Sequence, residues 1–132
     1  MPIFKLTESL SVAAQITPQD IPNLAAQGFT AVVCNRPDGE VPGQATMDEI
    51  EAACHAADLL FVRYPVDAMN FPGPDIEGLG ALFDDPGQSV LAYCRTGTRC
   101  ANLWVNSQTG DGQAEAVQLA REIGFDLSLV RA

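Results

Sequence analysis

The sequence lacks the features that mark metal-binding, secreted, membrane or nucleic-acid-binding proteins. It holds 4 cysteines but no Cys-x-x-Cys pair, and its single histidine is His55, so no zinc-ligand spacing is present. Its 7 basic residues face 17 acidic ones, and the formal charge of −10 disfavours nucleic acid or an anionic membrane as a partner. The opening stretch MPIFKLTESL lacks a signal-peptide pattern, and no apolar run reaches membrane-spanning length. We therefore expect a cytoplasmic protein without a metal or another cofactor.

The chain does contain a regular alternation of strand and helix patterns. Its 132 residues, 47% of them hydrophobic, suffice for one core, and we predict a single domain over residues 1–132. Strand patterns occupy residues 3–16 (two short strands), 29–35, 59–66 and 88–93. Helix patterns occupy residues 17–28, 46–58, 75–85, 99–107 and 113–123, with a terminal packing segment over 125–130. This order predicts an α/β fold with a mostly parallel central sheet flanked by helices.

Three strand ends of this predicted sheet carry polar or reactive residues. They are the junctions Cys34-Asn35-Arg36, Val66-Asp67 and Tyr93-Cys94-Arg95. Parallel strands end at the same edge of a sheet, and ligands of such folds bind outside that edge. We therefore expect the functional site there.

The segment CRTGTR, residues 94–99, has the composition of an anion-binding loop and is called the anion cradle below. Cys94 ends a buried strand, and the loop after it runs directly into a helix, whose N-terminal N–H groups favour anions. That helix end, together with Arg95 and Arg99, is expected to lower the thiol pKa and favour the nucleophilic thiolate. Gly97 permits the sharp turn that a cradle requires.

The stretch AYCRTGTR resembles the active-site loop of rhodanese-type sulfurtransferases and, in a longer version, of cysteine-dependent phosphatases. The wider chain, from QITPQDIPNLAAQGFTAVVCNRPDGE through RYPVD to YCRTGTR, resembles the phosphatase-like domain family of beta-lactamase hydrolase-like proteins. Members of that family are often fused to, or encoded near, beta-lactamase-like hydrolases that act as persulfide dioxygenases. The resemblance implies a fold similar to dual-specificity phosphatases, a cysteine nucleophile and no metal.

The length of the anion cradle favours sulfur transfer. Four residues separate Cys94 from Arg99, whereas phosphatases of the resembled fold place five there, usually after a histidine. The shorter loop resembles that of rhodaneses. In that chemistry Cys94 takes a sulfane sulfur from thiosulfate or glutathione persulfide and passes it from a persulfide to an acceptor. We therefore expect a rhodanese-type sulfurtransferase, with a thiol acceptor or a persulfide dioxygenase as its partner.

A phosphatase is the alternative interpretation, and Asp67 is the residue that supports it. YPVD ends a strand and opens a loop rich in Gly and Pro, which resembles the place of the general acid in dual-specificity phosphatases. Cys94 then takes the phosphoryl group of a phosphate ester, Arg99 stabilises its oxygens, and Asp67 protonates the leaving group. Asp67 also fits a plain turn-capping role, and Asp75 fits the first turn of a helix. A non-catalytic persulfide carrier or sensor is a further alternative.

The other site candidates surround the nucleophile. The expected anion-binding residues are Arg95, Thr96, Gly97, Thr98 and Arg36. For Arg36 we favour a structural role, in which it braces its loop by pairing with Asp38 or Glu40. Cys100 follows the anion cradle where related loops carry Ser or Thr, so it is a hydrogen bonder, a resolving thiol or a packed side chain.

Overall fold

Residues 2–129 are described by a computed structural model. Five strands form one sheet: β1 (Ile3–Lys5), β2 (Leu10–Ala13), β3 (Ala31–Cys34), β4 (Leu60–Arg63) and β5 (Val90–Tyr93). The α-helices are α1 (Ile21–Ala26), α2 (Met47–Ala56), α3 (Ile76–Phe83), α4 (Thr98–Ser107) and α5 (Gly110–Ile123), and a short 3-10 helix, Pro18–Asp20, precedes α1. Among these described residues, no helix combines the length and the apolarity that crossing a membrane requires.

The sheet has the strand order β1-β2-β5-β3-β4, with β1 antiparallel and the other strands parallel. The register aligns the last residues of the four parallel strands, which are Ala13, Tyr93, Cys34 and Arg63. Because β5 lies between β2 and β3, the loop that starts at Cys94 emerges between the loops that follow those strands. The predicted mostly parallel α/β sheet and the common edge of its strand ends are confirmed.

The two faces of the sheet bury separate apolar clusters because successive strand residues point to opposite sides. Val32 and Leu91 pack with buried side chains of α1 and α2, among them Ile21, Leu24, Ile50 and Cys54. Val33 and Ala92 pack on the other face with α3, α4 and α5, among them Phe83, Leu103, Trp104 and Ala120. Each fully buried Leu or Ile contributes roughly 2 kcal/mol of transfer free energy, so both helix layers hold the sheet edge in place.

Three elements differ from the sequence-based expectation. The helix predicted over 17–28 is split, because Pro22 has no N–H to continue the hydrogen bonding from the turn at Pro18. Helix α5 begins at Gly110, earlier than predicted, since two glycines weaken the helix pattern of its first turn. Strand β4 is shorter than expected and lies at the sheet edge, where Leu60 is 56% exposed.

The C-terminal segment covers the far side of α4. Phe125 contacts Phe4 edge-to-face, with ring centroids 5.4 Å apart, and Leu127 and Leu129 pack against the same apolar cluster. Asn102 of α4 donates a hydrogen bond to the Asp126 carbonyl at 2.8 Å. The predicted packing segment is confirmed up to Leu129, and Val130 lies outside the described residues.

Candidate active site

The anion cradle joins the central strand β5 to the N-terminus of α4. Cys94 follows β5 directly, and Gly97 is the residue that precedes the first turn of α4. Gly97 has φ +90°, and its N–H donates a hydrogen bond to Cys94 Sγ at 3.0 Å. A side chain at this position would be strained by the positive φ and would lie 3.4 Å from the Phe125 ring. Gly97 is therefore required by the backbone conformation that turns an N–H onto the sulfur.

The Cys94 sulfur is set up as a thiolate. Its pKa is lowered to about 6, chiefly because the Cys100 thiol donates a hydrogen bond to it. Burial opposes this shift, and the backbone N–H groups of Cys100, Thr96 and Gly97 add to it. Hydrogen bonding to the charged form stabilises the anion, so most Cys94 side chains are ionised at neutral pH. The sequence-based expectation credited the helix end together with Arg95 and Arg99, whereas the main causes are hydrogen bonds from the Cys100 thiol and from N–H groups of the loop and the helix start.

Arg99 is held by two other loops. Its Nη2 donates to Glu40 Oε1 at 2.6 Å, and its Nη1 donates to Glu40 Oε2 at 2.9 Å, which makes a bidentate ion pair. Nη1 also donates to the Val66 carbonyl oxygen at 2.9 Å. The ion pair lowers the pKa of Glu40 and raises that of Arg99. The guanidinium is thus fixed by the loop after β3 and the loop after β4.

These contacts leave one edge of the Arg99 guanidinium open. A guanidinium carries five N–H donors, and the hydrogen bonds to Glu40 and Val66 occupy three of them. The other two, Nε–H and the second hydrogen on Nη2, find no acceptor among residues 2–129. They lie side by side, which is the arrangement that binds two oxygens of a phosphate or carboxylate.

Arg36 braces Glu40 together with Arg99, because both guanidinium groups donate to Glu40 Oε1. Its Nε donates to Glu40 Oε1 at 2.8 Å, and its Nη1 donates to Gln15 Oε1 at 3.1 Å. Arg36 is only 3% exposed and pairs with Glu40, which agrees with the structural role favoured from the sequence, and a part in anion binding stays a prediction. Gln15 in turn donates its backbone N–H to the Arg95 carbonyl at 3.4 Å. The network therefore links both sides of the anion cradle.

Residues 66–74, the acid loop, follow β4 and reach the same edge through Val66. The Asp67 carboxylate is exposed, and its Oδ1 accepts the backbone N–H groups of Met69 at 2.8 Å and Asn70 at 3.2 Å. Its Oδ2 has no hydrogen-bond donor within the described part of the chain. Asp67 thus caps a turn with one oxygen and presents the other to solvent, next to the residue whose carbonyl contacts Arg99. Asp75, the other acidic candidate, is the N-cap of α3.

Comparison with known proteins identifies the family. The sequence profile described as "Beta-lactamase hydrolase-like protein, phosphatase-like domain" matches residues 3–111. The chain belongs to this family. The beta-lactamase hydrolase-like protein of Agrobacterium fabrum is 32% identical over 130 residues, which cover 96% of this chain. The phosphatase-like chain spans 30% of the length of that relative.

Solved structures support the same assignment. The crystal structure described as "a putative phosphatase" from Neisseria meningitidis is 33% identical, has a TM-score of 0.78, and matches over 98% of this chain and 93% of that one. PTPMT1 in complex with PI(5)P has a TM-score of 0.72 over 98% of this chain and 86% of that chain. At 17% identity that second likeness shows the fold alone, which is the phosphatase-like fold implied by the sequence.

The expectation of a sulfurtransferase is wrong. The matching family is phosphatase-like, and the Neisseria protein, similar over nearly its whole length, is described as "a putative phosphatase". The prediction from loop length was wrong because it considered only the number of backbone residues between Cys94 and Arg99. In the phosphatase-like domain the position of Arg99 is also fixed by Glu40 and Val66, which lie outside the loop. Thiosulfate, glutathione persulfide and a persulfide carrier role find no support in these comparisons.

The remaining predicted residues take defined places around the sulfur. Thr96 contributes its backbone N–H to Cys94, whereas its hydroxyl donates to the Thr98 hydroxyl at 3.0 Å. Cys100 is fully buried and acts as the hydrogen bonder, and its use as a resolving thiol stays a prediction. Glu40 was considered only as a partner of Arg36, and its pairing with Arg99 was missed. Nothing in the local sequence relates those two residues.

Proposed function

We propose that the phosphatase-like domain hydrolyses phosphate monoesters through a phosphocysteine formed at Cys94. The observation that carries the proposal is a sulfur with a pKa lowered to about 6 beside an arginine whose open edge suits two phosphate oxygens. A thiolate is a strong nucleophile at neutral pH, and backbone N–H groups at a helix N-terminus stabilise added negative charge. Family membership supports the same chemistry.

In the first step Cys94 Sγ attacks phosphorus, and an S–P bond forms as the bond to the leaving oxygen breaks. Arg99 holds two equatorial oxygens through its Nε–H and Nη2–H, and N–H groups of the anion cradle bind the third. Asp67, as the carboxylic acid, gives its proton to the leaving alkoxide or phenoxide. Its free Oδ2 is the oxygen available for that proton.

In the second step a water molecule attacks the phosphocysteine. Asp67, now a carboxylate, takes one proton from that water, and the S–P bond breaks to release inorganic phosphate and the thiolate. The thiolate is a good leaving group because the Cys100 thiol and the loop N–H groups stabilise it. Atoms and charge balance without a cofactor.

Phosphate release from p-nitrophenyl phosphate tests the proposal, together with rapid-quench mass spectrometry of the whole protein. We expect turnover and a transient mass gain of about 80 Da, which is one phosphoryl group. Cys94→Ser should abolish both signals. Cys54→Ala is the matched control, because Cys54 is a buried cysteine in the apolar cluster below α2 and makes no contact with the anion cradle.

Turnover that survives Cys94→Ser, or an absence of any phosphoryl-protein adduct during turnover, would contradict the proposal. A cytoplasmic location remains a prediction, supported by four cysteines that are all free thiols. The proposed substrate class is a phosphate monoester whose phosphate can reach the anion cradle.

A further inference from the structure

The two arginines of the anion cradle have opposite surroundings. Arg99 is 19% exposed and shares a carboxylate with Arg36. Arg95 is exposed, and its side chain makes no ion pair or hydrogen bond within residues 2–129. A guanidinium normally pairs readily when carboxylates outnumber cations as strongly as they do in this chain. Arg95 therefore keeps its charge available to a ligand.

The other basic side chains show how unusual this is. Lys5, Arg36 and Arg63 each form ion pairs with nearby carboxylates. Among the described basic residues, only Arg121 shares the unpaired state of Arg95, and it lies in the last turn of α5, where a cation complements the helix dipole. Arg95 has no such structural partner. It is the unpaired cation next to the nucleophile.

The main chain of Arg95 and the side chain of Arg99 contact different neighbouring loops. The Arg95 carbonyl accepts the Gln15 N–H, which ties this residue to the chain that follows β2. Arg99 instead contacts the loops that follow β3 and β4, through Glu40 and Val66. Arg95 directly follows Cys94 in the anion cradle and its side chain is exposed, so its guanidinium is available to an anion that lies beside a phosphate bound at Cys94. The hydrogen bonds that stabilise the Cys94 thiolate come from Cys100 and loop N–H groups. The charge of Arg95 is therefore not required to stabilise the thiolate.

We infer that Arg95 selects substrates that carry a second anionic group, a phosphate or a carboxylate, close to the phosphate that is cleaved. This inference rests on the proposed phosphatase function and adds a substrate class to it. The scissile phosphate occupies the anion cradle and Arg99, and the second anion binds the Arg95 guanidinium. A guanidinium is suited to both anions because it offers two parallel N–H donors. Substrates with one anionic group use only the first of these contacts.

Two matched substrate pairs test the inference. Propyl phosphate and propane-1,3-diol bisphosphate differ by a second phosphate, and glycerol 2-phosphate and 2-phosphoglycerate differ by a carboxylate. For the wild type we expect kcat/KM to be about tenfold higher for the doubly anionic member of at least one pair, which is the size of one charge-assisted contact. Arg95→Ala should bring that ratio close to one, mainly through KM, and Arg95→Lys should restore part of it. The pair that responds identifies the second anion as phosphate or carboxylate.

Arg121→Ala is the control, because it removes an equally exposed and unpaired arginine that lies on α5. It should leave the ratio at the wild-type value. Equal ratios for wild type and Arg95→Ala, or an equal fall for Arg121→Ala, would overturn the inference. Circular dichroism spectra of all variants should coincide, since both arginines are exposed.

Ligand binding separates this inference from the proposed function. Calorimetry on Cys94→Ser, with and without Arg95→Ala, measures the dissociation constants of both members of each pair without turnover. Tighter binding of the doubly anionic member that depends on Arg95 supports the inference even if no ester is hydrolysed. Equal dissociation constants for both members in the presence of Arg95 would refute it, while turnover by the wild type would still support the phosphatase.

Discussion

The anion cradle and the acid loop meet at one edge of the sheet, but they are held in different ways. The cradle is fixed by contacts between distant parts of the chain, such as the Arg99–Glu40 ion pair, whose residues are 59 positions apart. Asp67 is positioned by hydrogen bonds to residues at most three positions away, and it is exposed. Cys94 and Arg99 are therefore held in place before a substrate binds, whereas Asp67 lies on an exposed turn.

This difference separates two tasks in the proposed reaction. Stabilising a thiolate and a phosphoryl group requires donors that do not reorganise. Loops that are held together by ion pairs and hydrogen bonds supply such donors. Proton transfer to varied leaving groups tolerates an acid on an exposed loop, because geometry can tighten once substrate is bound. Substitutions in the anion cradle and in the acid loop should therefore change the kinetics in different ways.

Arg99→Lys should produce the largest loss among the supporting residues. Lysine keeps the charge but cannot bind Glu40 and two phosphate oxygens at the same time. We expect kcat/KM for p-nitrophenyl phosphate to fall about 1000-fold, which corresponds to about 4 kcal/mol of transition-state stabilisation. Steady-state kinetics measure this, and a loss below tenfold would show that the cradle does not depend on the guanidinium fork.

Asp67→Asn should impair the acid loop and leave the anion cradle unchanged. Asparagine keeps the turn-capping oxygen but cannot donate a proton as a carboxylic acid does. We expect kcat to fall about 100-fold for an alkyl phosphate, whose leaving group needs the proton, and much less for p-nitrophenyl phosphate. The pH dependence of Cys94 alkylation by iodoacetamide should stay at the wild-type value. Equal losses on both substrates would assign Asp67 to the turn alone.

Glu40→Gln should weaken the link between the loops without removing the arginine. Glutamine retains a hydrogen-bond acceptor but loses the charge that Arg36 and Arg99 share. We expect kcat/KM to fall about tenfold, since a positioning residue acts through Arg99 and does not touch the substrate. Phosphate should bind more weakly by calorimetry. The surface pair Arg63–Glu51 offers a matched control, and Glu51→Gln should leave both measurements unchanged.

Cys100→Ala should give a loss that depends on pH and disappears at high pH. The pKa of Cys94 is lowered to about 6 with the Cys100 thiol as the leading cause, so its removal should raise that pKa toward the ordinary value of 9.0. The thiolate exists above the pKa, so the variant should lose alkylation rate and activity near pH 6 and recover them as the pH rises. Cys100→Ser should retain the hydrogen bond and the wild-type profile. A profile for Cys100→Ala that coincides with wild type would contradict the assigned role of this thiol.

Local patterns predicted much of the fold and the position of the nucleophile. The helix pattern over 46–58 predicted α2, whose start the structure caps with Thr46 and Glu49, and the strand pattern before Cys94 predicted β5. The split at Pro22 was missed, because the helix prediction over 17–28 used Thr17 and Pro18 as its start and Gly28 as its end, and took no account of the second proline. The chemistry was predicted wrongly from loop length, since the number of residues between Cys94 and Arg99 does not describe the loops that position the guanidinium.

The sequence by itself determined which residues can react and where the chain turns. A cysteine between a buried strand and a helix, followed by a glycine in a sharp turn, is a local arrangement that residue order alone defines. Only the tertiary structure decided the partners: Glu40 for Arg99, the Cys100 thiol for the Cys94 sulfur, and no carboxylate for Arg95 within residues 2–129. Ion pairs and hydrogen bonds depend on distances in space. The strand order of the sheet sets those distances, and no single segment of the chain determines that order.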